Sequence, residues 1–168
     1  RALALACADY GTATPLPCRS RLPGPTGEEN ILYFVPRGQI LCRATNEADL
    51  LEQLAAVLAT GNIPFIENTP LTSQVIARLP APIKTVIEYA PAMILSYPAA
   101  ILLDSSAALA PILGRYVLED GPIIPIIAPD PETGRYPLFR LLHERVISTN
   151  TAAAGGNTLL LTLIDSVG

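Results

Sequence analysis

The sequence predicts an α/β fold: a Rossmann-like parallel sheet with flanking helices, extended by a β-flap that the C-terminal strands form. Between residues 31 and 120, short apolar runs alternate with segments of helical period, which is the order of right-handed βαβ units. After residue 121 the pattern changes to strand-like runs. We therefore assign residues 1–168 to a single domain, with a Rossmann-like body at 31–120 and the flap at 121–168.

The N-terminal region predicts little regular structure. Residues 1–30 carry few periodic signals, and their prolines indicate an extended lead-in along the surface. Two short strands follow at 31–35 and 39–43. The Pro36-Arg37-Gly38 stretch between them suits either a hairpin or a tight corner.

Two helices with a strand between them follow. The first is predicted from Asn46, whose side chain can cap the free amides, to Gly61, a natural C-terminal stop. A buried strand is predicted at 63–67, and a second helix begins with Thr69 as cap and Pro70 at its first position. The first helix has an apolar stripe at helical spacing, formed by Leu50, Leu51, Leu54, Val57 and Leu58.

The elements between residues 83 and 164 are predicted from shorter sequence patterns than the two helices described above. Strands are expected at 83–87 and 99–103, followed by a helix from 104 to 118 that contains Pro111. Residues 121–127 are strand-like, but Pro122 and Pro125 exclude them from the middle of a sheet, so we predict an edge strand or a projecting strand. A short helix is predicted at 137–144, and two strands at 144–150 and 158–164 flank the Gly155-Gly156 pair.

Composition excludes several classes of function. The chain has 11 Lys and Arg against 15 Asp and Glu, a net charge of -4, and so offers no basic surface for nucleic acid. The most apolar region, 83–103, contains Lys84, Glu88 and two prolines, so we predict no membrane span. Cys7, Cys18 and Cys42 are odd in number without CxxC spacing, which indicates free thiols in a reducing compartment.

No residue pattern predicts a catalytic, cofactor-binding or metal site in this chain. The turns at 67–70 and 104–107 contain no glycine and place Glu67 and Asp104 where a pyrophosphate would lie. Cys42 is predicted to be a buried structural thiol rather than a nucleophile. His143, the single histidine, is predicted on a solvated helix face, although a pH-active role is the alternative.

Four stretches carry a resemblance to a known family. They resemble the C-terminal domain of long proline utilization A proteins. The strongest resemblance is at 148–157, which reads Ser-Thr-Asn-Thr-Ala-Ala-Ala-Gly-Gly-Asn and is rich in small residues, and the others are at 22–28, 36–42 and 46–62. Those proteins join a flavin-dependent proline dehydrogenase to an NAD-dependent glutamate-semialdehyde dehydrogenase. The resemblance therefore implies FAD and NAD in the parent protein, and none in this domain. It also implies that the chain is a piece of a longer, cytoplasmic protein, which could associate peripherally with the inner membrane.

The resemblance further implies a non-catalytic adapter that packs on the proline dehydrogenase and semialdehyde dehydrogenase domains and covers the tunnel between them. The contact residues of the flap would be Ile123, Ile124, Ile126 and Ile127. Two alternatives stay open: a degenerate dehydrogenase module that still binds a dinucleotide, and a module for homo-oligomerisation. The covering element would consist of Ser148, Thr149, Asn150, Thr151, Ala152, Ala153, Ala154, Gly155, Gly156 and Asn157.

Overall fold

The computed structural model describes residues 2–90, 97–104, 106, 114 and 121–150. The chain forms two compact units. The first contains residues 1–16 and 36–143, and the second contains 17–35 and 144–168. Since compactness does not tell whether either unit folds alone, the assignment of the chain to a single domain stays a prediction.

A five-stranded parallel sheet forms the first unit and confirms the α/β class. Its strands are β3 (Gln39–Arg43), β4 (Ile63–Glu67), β5 (Glu88–Ala90), β6 (Ala100–Leu103) and β7 (Ile126–Ile127), in the spatial order β5-β4-β3-β6-β7. All four strand pairs are parallel. Strands β3, β4 and β6 bury residues on both faces, so their middles are continuously apolar rather than alternating.

The two capped helices confirm their sequence signals. Helix α2 spans Glu47–Ala59, and the Asn46 side chain accepts a hydrogen bond from the amide of Asp49. Helix α3 spans Pro70–Ala77, with a capping box between Thr69 and Thr72. Gly61 follows α2 with φ +67°, a left-handed conformation that glycine adopts without steric cost.

The predicted strand at 83–87 is wrong. The chain instead forms the short helix α4 (Ala81–Lys84) and reaches the sheet at β5. Pro82 lies in the first turn of α4, where proline favours helix, and Lys84 Nζ donates to the carbonyl of Ala77 at 2.6 Å. These contacts outweigh the β-branched residues that suggested a strand.

The extended lead-in is also wrong over its first half, where helix α1 spans Ala2–Ala13. Leu3 and Tyr10 are buried on one face of α1, which packs on α2. The prolines that indicated extended chain all come after residue 13, so they do not interrupt this helix.

The second unit contains a separate three-stranded sheet. Strand β1 (Arg19–Leu22) pairs antiparallel with β2 (Glu28–Pro36), and the order is β1-β2-β8. Because β2 and β3 belong to different sheets, the stretch at 36–38 is a corner, and the hairpin alternative is wrong. Strand β8 (Leu142–Asn150) confirms the strand predicted at 144–150.

The short helix predicted at 137–144 is only partly right. A 3₁₀ turn spans Leu138–Leu141 and buries both of its terminal leucines, after which the chain is already extended at Leu142. The helix predicted at 104–118 lies outside the described residues except for Asp104, Ser106 and Gly114. The strand predicted at 158–164 and the Gly155-Gly156 pair also lie outside them.

Candidate functional site

The crevice where a Rossmann-like fold binds its ligand lies at the carboxyl ends of β3 and β6. These strands are neighbours, yet the connection from β3 leads through α2 to β4 on the opposite side. Such a reversal of strand order opens a crevice outside the strand ends. The residues that lie there are those that follow Arg43 and Leu103.

A buried carboxylate closes this crevice from the side of β6. Asp104 Oδ2 accepts hydrogen bonds from the amide of Thr45 at 2.5 Å and from its hydroxyl at 2.9 Å. Asp104 Oδ1 accepts from the amide of Ser106 at 2.8 Å and from its hydroxyl at 2.9 Å. Asp104 is only 4% exposed, so both carboxylate oxygens are held by the chain itself.

These hydrogen bonds keep Asp104 ionised. Burial alone would raise the pKa of its carboxyl group, but the donors on Thr45 and Ser106 outweigh that effect and lower the pKa below its ordinary value. A carboxylate that is stabilised in this way is a poor general base, because it has little tendency to take up a proton.

An ion pair closes the crevice from the side of β4. The Arg43 guanidinium contacts the Glu67 carboxylate, and both side chains are mostly buried. The adjacent cavity has a volume of about 260 Å³ and is lined by Cys42, Arg43, Ala44, Thr45, Glu67, Thr69 and Thr72.

The residues of this crevice do not fit a dinucleotide. A pyrophosphate needs a glycine-rich turn after the first strand, with free amides that face the anion. The turn after β3 reads Arg43-Ala44-Thr45-Asn46 and contains no glycine, and the Thr45 amide already donates to Asp104. The Asp104 and Glu67 carboxylates would repel the phosphates.

A buried polar network joins the strand ends beneath the crevice. Gln53 Nε2 donates to the carbonyl of Arg43 at 2.9 Å and to the Tyr136 hydroxyl at 2.9 Å. The Tyr136 hydroxyl in turn donates to the carbonyl of Leu103 at 2.9 Å. Burial raises the pKa of Tyr136, so this hydroxyl remains protonated as a donor. The network therefore fixes the ends of β3 and β6 relative to each other.

The cysteines and the histidine differ in their exposure. Cys42 is buried in β3, as predicted, and burial raises its pKa to about 12. Cys7 is half-buried with a raised pKa, mainly through burial, and Cys18 is exposed. His143 is exposed as predicted but lies in β8 rather than on a helix.

Two further sequence expectations concern metals and membranes. Within the residues that the structure describes, no three His, Cys, Asp or Glu side chains are grouped so as to hold a metal ion. None of the helices in the same part of the chain combines the length and the hydropathy that crossing a bilayer requires.

The C-terminal motif begins on the strand β8. Ser148, Thr149 and Asn150 are exposed there, and the Ser148 hydroxyl donates to Asn30 Oδ1 at 2.5 Å. Ser148 and Asn150 line a cavity of about 400 Å³ together with the turn at 25–28. Two stretches that carry the family resemblance, 22–28 and 148–150, therefore meet in the second unit. Thr151, Ala152, Ala153, Ala154, Gly155, Gly156 and Asn157 lie outside the described residues.

The isoleucines assigned to the flap lie in the first unit. Ile126 and Ile127 form the edge strand β7, which confirms the edge position. They pair with β6 and not with β8, so grouping them with β8 is wrong. The other predicted C-terminal strand, at 158–164, lies outside the described residues. Ile124 packs against the core beside Leu103, whereas Ile123 is 98% exposed.

Glu67 and Asp104 of the crevice were identified from the sequence as carboxylates at strand ends, but the turn at 43–46 was not. The strand before this turn and the helix after it were both predicted. That strand–turn–helix order was the available signal. No local sequence pattern indicated the hydrogen bond between Gln53 and Tyr136, because these residues are 83 positions apart and only the tertiary fold brings them together.

Comparison with known proteins relates this chain to larger ones. It is 36% identical over 160 residues to the Bifunctional protein PutA of Escherichia coli K12, a match that covers 94% of this chain and 12% of that protein. The Bifunctional protein PutA of Rhizobium meliloti is 32% identical over 172 residues, which covers 97% of this chain and 14% of that protein. No protein-family model matches the chain.

Solved structures agree in fold. A Bradyrhizobium japonicum Proline Utilization A (PutA) mutant superposes with a TM-score of 0.57 at 23% identity, over 76% of this chain and 15% of that one. Substrate-bound Staphylococcus aureus AldH superposes with a TM-score of 0.54 at 17% identity, over 76% of this chain and 32% of that one. This chain is therefore homologous to one segment of the PutA proteins, about 12% of their length in E. coli, and its fold resembles that of aldehyde dehydrogenases.

Proposed function

We propose that this chain is a non-catalytic adapter and lid in a bifunctional enzyme that converts proline to glutamate. It packs on the proline dehydrogenase and semialdehyde dehydrogenase domains of the parent protein and seals the tunnel between their active sites. FAD and NAD belong to those domains, and the parent protein is cytoplasmic. Homology to a single segment of PutA supports this proposal.

The observation that carries the non-catalytic part is the contact between Thr45 and Asp104. Asp104 takes the turn amide that a cofactor phosphate would need, at 2.5 Å, and places a negative charge at that position. On the other side, Arg43 pairs with Glu67 rather than facing the crevice as a free cation. Rebuilding the site would require breaking buried charge-assisted contacts, which is strongly destabilising.

The lid part is supported by the exposure of β8. All residues from 143 to 150 are exposed, although successive side chains of a strand point to opposite faces. Val146 and Ile147 are adjacent and are 47% and 46% exposed, so both faces of β8 present apolar surface. A strand of this kind gains stability when another surface covers it.

The small residues that continue from β8 suit such a cover. Residues 152–156 are three alanines and two glycines, so their backbone can approach a partner surface closely. Ile123, which is 98% exposed before the edge strand β7, provides a second apolar contact point in the other unit. We propose that both surfaces contact the catalytic domains.

The test is deletion of residues 151–164 from the full-length protein. We expect the coupled conversion of proline to glutamate to slow, while the proline dehydrogenase half-reaction is retained, because the intermediate escapes before the second step. A trapping reagent for the free semialdehyde should then capture more intermediate than in the wild type.

The matched control replaces Ala152, Ala153 and Ala154 with glycines and keeps the length of the chain. This variant should retain the coupled rate, because its side chains hold the backbone no farther from a partner surface than the alanines do. A coupled rate that survives the deletion unchanged, with no additional trapped intermediate, would contradict the lid function.

A further inference from the structure

The outer face of helix α1 has the composition of an interface. We define the α1 face as Ala4, Leu5, Ala8, Gly11 and Thr12, which share one side of the helix at spacings of three and four residues. All five are exposed, and Leu5 is 61% exposed. A helix that is apolar on all sides is normally buried on all sides.

Apolar grooves lie along both flanks of this face. The first has a volume of about 470 Å³ and lies between the C-terminal half of α1 and residues 135–139, where Phe139 is 67% exposed. The second has a volume of about 410 Å³ and lies between the N-terminal end of α1 and the α3–α4 region, with Leu79 and Ile83 in its lining. The α1 face is thus the ridge between two grooves within the same unit.

The charged groups around the ridge neutralise one another. At the first groove, the Arg135 guanidinium bonds to Asp9 at 2.7 Å and to Glu52 at 3.1 Å. At the second, Arg78 pairs with Glu47 at 2.6 Å. A partner that covers this surface would therefore not bury an unpaired charge from these three ion pairs. Burial of an unpaired charge is the usual obstacle to association.

Within the part of the chain that the structure describes, neither backbone conformation nor a close contact requires glycine at position 11. Its φ is not left-handed, and a Cβ added there would meet no atom within 4 Å. A glycine inside a helix costs about 1 kcal/mol relative to alanine, so this position favours close approach of another surface over helix stability.

We propose that the α1 face with its two grooves docks against the catalytic part of the full-length protein. The proposal rests on the proposed function. Its occupant is the rest of the same chain, because the matched segment covers only 12% of E. coli PutA and most of such a protein lies outside it. The paired charges require that the covering surface be apolar and uncharged.

Site-specific photo-crosslinking in the full-length protein tests this docking. Leu5 is replaced by p-benzoylphenylalanine, and Val86, which is 44% exposed and lines neither groove, is replaced in a control variant. After irradiation, we expect loss of the peptide that contains position 5 and its recovery joined to a peptide outside this segment, at the mass of one chain. The control at position 86 should show no such loss.

Three results would overturn the docking: equal yields at both positions, cross-links that stay within the segment, or cross-links to a second copy at twice the mass. The outcome is separable from that of the deletion of 151–164. If Leu5 cross-links to the catalytic part but the coupled rate survives the deletion, the lid function fails and the docking surface stands. If the rate falls but Leu5 does not cross-link, the docking surface fails alone.

Discussion

Replacing Asp104 with asparagine should destabilise the chain, because it removes the charged acceptor to which the Thr45 amide and hydroxyl donate. The substitution keeps the shape of the side chain. Asparagine retains Oδ1, which accepts from the Ser106 amide and hydroxyl at 2.8 and 2.9 Å. It replaces the acceptor Oδ2 with an NH₂ group. This group is a hydrogen-bond donor, and it faces two groups that also donate in the wild type, the amide and the hydroxyl of Thr45.

The size of the effect follows from these contacts. The Thr45 hydroxyl can rotate to accept a hydrogen bond from the new NH₂ group, but the Thr45 backbone amide cannot. One charge-assisted hydrogen bond is therefore lost and a buried donor loses its acceptor, which corresponds to about 2–3 kcal/mol of unfolding free energy. Because Asp104 is only 4% exposed, solvent screening reduces this value little.

The same carboxylate predicts a pH dependence. The pKa of Asp104 is lowered in the folded state, so its stabilisation is fully present above the unfolded pKa of about 3.9 and is lost as the pH falls through the folded value. The difference in unfolding free energy between wild type and Asp104→Asn should therefore be constant near neutral pH and shrink below about pH 4.

Urea denaturation followed by circular dichroism measures both quantities. Asp130→Asn is the matched control, because the hydrogen bonds of Asp130 also lower its pKa but the side chain is fully exposed, so we expect a much smaller loss. A loss below about 0.5 kcal/mol for Asp104→Asn, the range of ordinary surface substitutions, would refute the reasoning. So would a difference that persists unchanged at low pH.

Three further outcomes are expected. Gly61→Ala should destabilise by about 1 kcal/mol or more, because φ is +67° and the new Cβ would lie 3.2 Å from Pro36 Cγ and 3.3 Å from Leu16 Cδ2; urea denaturation measures it. A thiol reagent at pH 8 should modify Cys18 in the folded chain and leave Cys42 unmodified until urea is added, since Cys42 is buried with a pKa of about 12; peptide mass analysis measures it. Titration with NAD and NADH by calorimetry should give no heat of binding at sub-millimolar concentration.

Each of these outcomes has a control. Gly134→Ala has nearly the same φ, +68°, with open space around the new Cβ, so equal losses at both glycines would contradict the role of the close contacts at Gly61. Equal modification of Cys42 and Cys18 without urea would contradict the burial of Cys42. Binding of NAD to the wild type would reinstate the dinucleotide-binding alternative.

Local signals predicted the parts of the fold that depend on local contacts. Asn46 and Thr69 cap their own helices within three residues, so the starts of α2 and α3 could be read from the sequence. Helix α1 has no such cap signal, has no single apolar stripe and contains Gly11, so neither its start nor its buried face was visible. Tertiary contacts define it, with Leu3 and Tyr10 buried against the rest of the unit.

The candidate site depended on contacts between distant residues. Thr45 and Asp104 are 59 residues apart, and their hydrogen bond requires β3 and β6 to be neighbours in the sheet. The position of Asp104 at a strand end, and the unfavourable effect of its charge on phosphates, followed from the sequence alone. The donors that hold this carboxylate could not be identified in that way, because strand order is a property of the tertiary fold.

The second unit is built from two segments that are far apart in the sequence, and this separation affects the order in which the chain folds. Residues 17–35 leave the ribosome before residues 36–141, but the third strand of their sheet starts only at residue 142. Strands β1 and β2 must therefore wait, as an isolated hairpin of marginal stability, until the whole first unit has been synthesised. Closing such a long intervening loop is slow, so completion of the small sheet is expected to be a late step of folding, and a chain that is truncated before β8 would leave the edge of β2 open to aggregation.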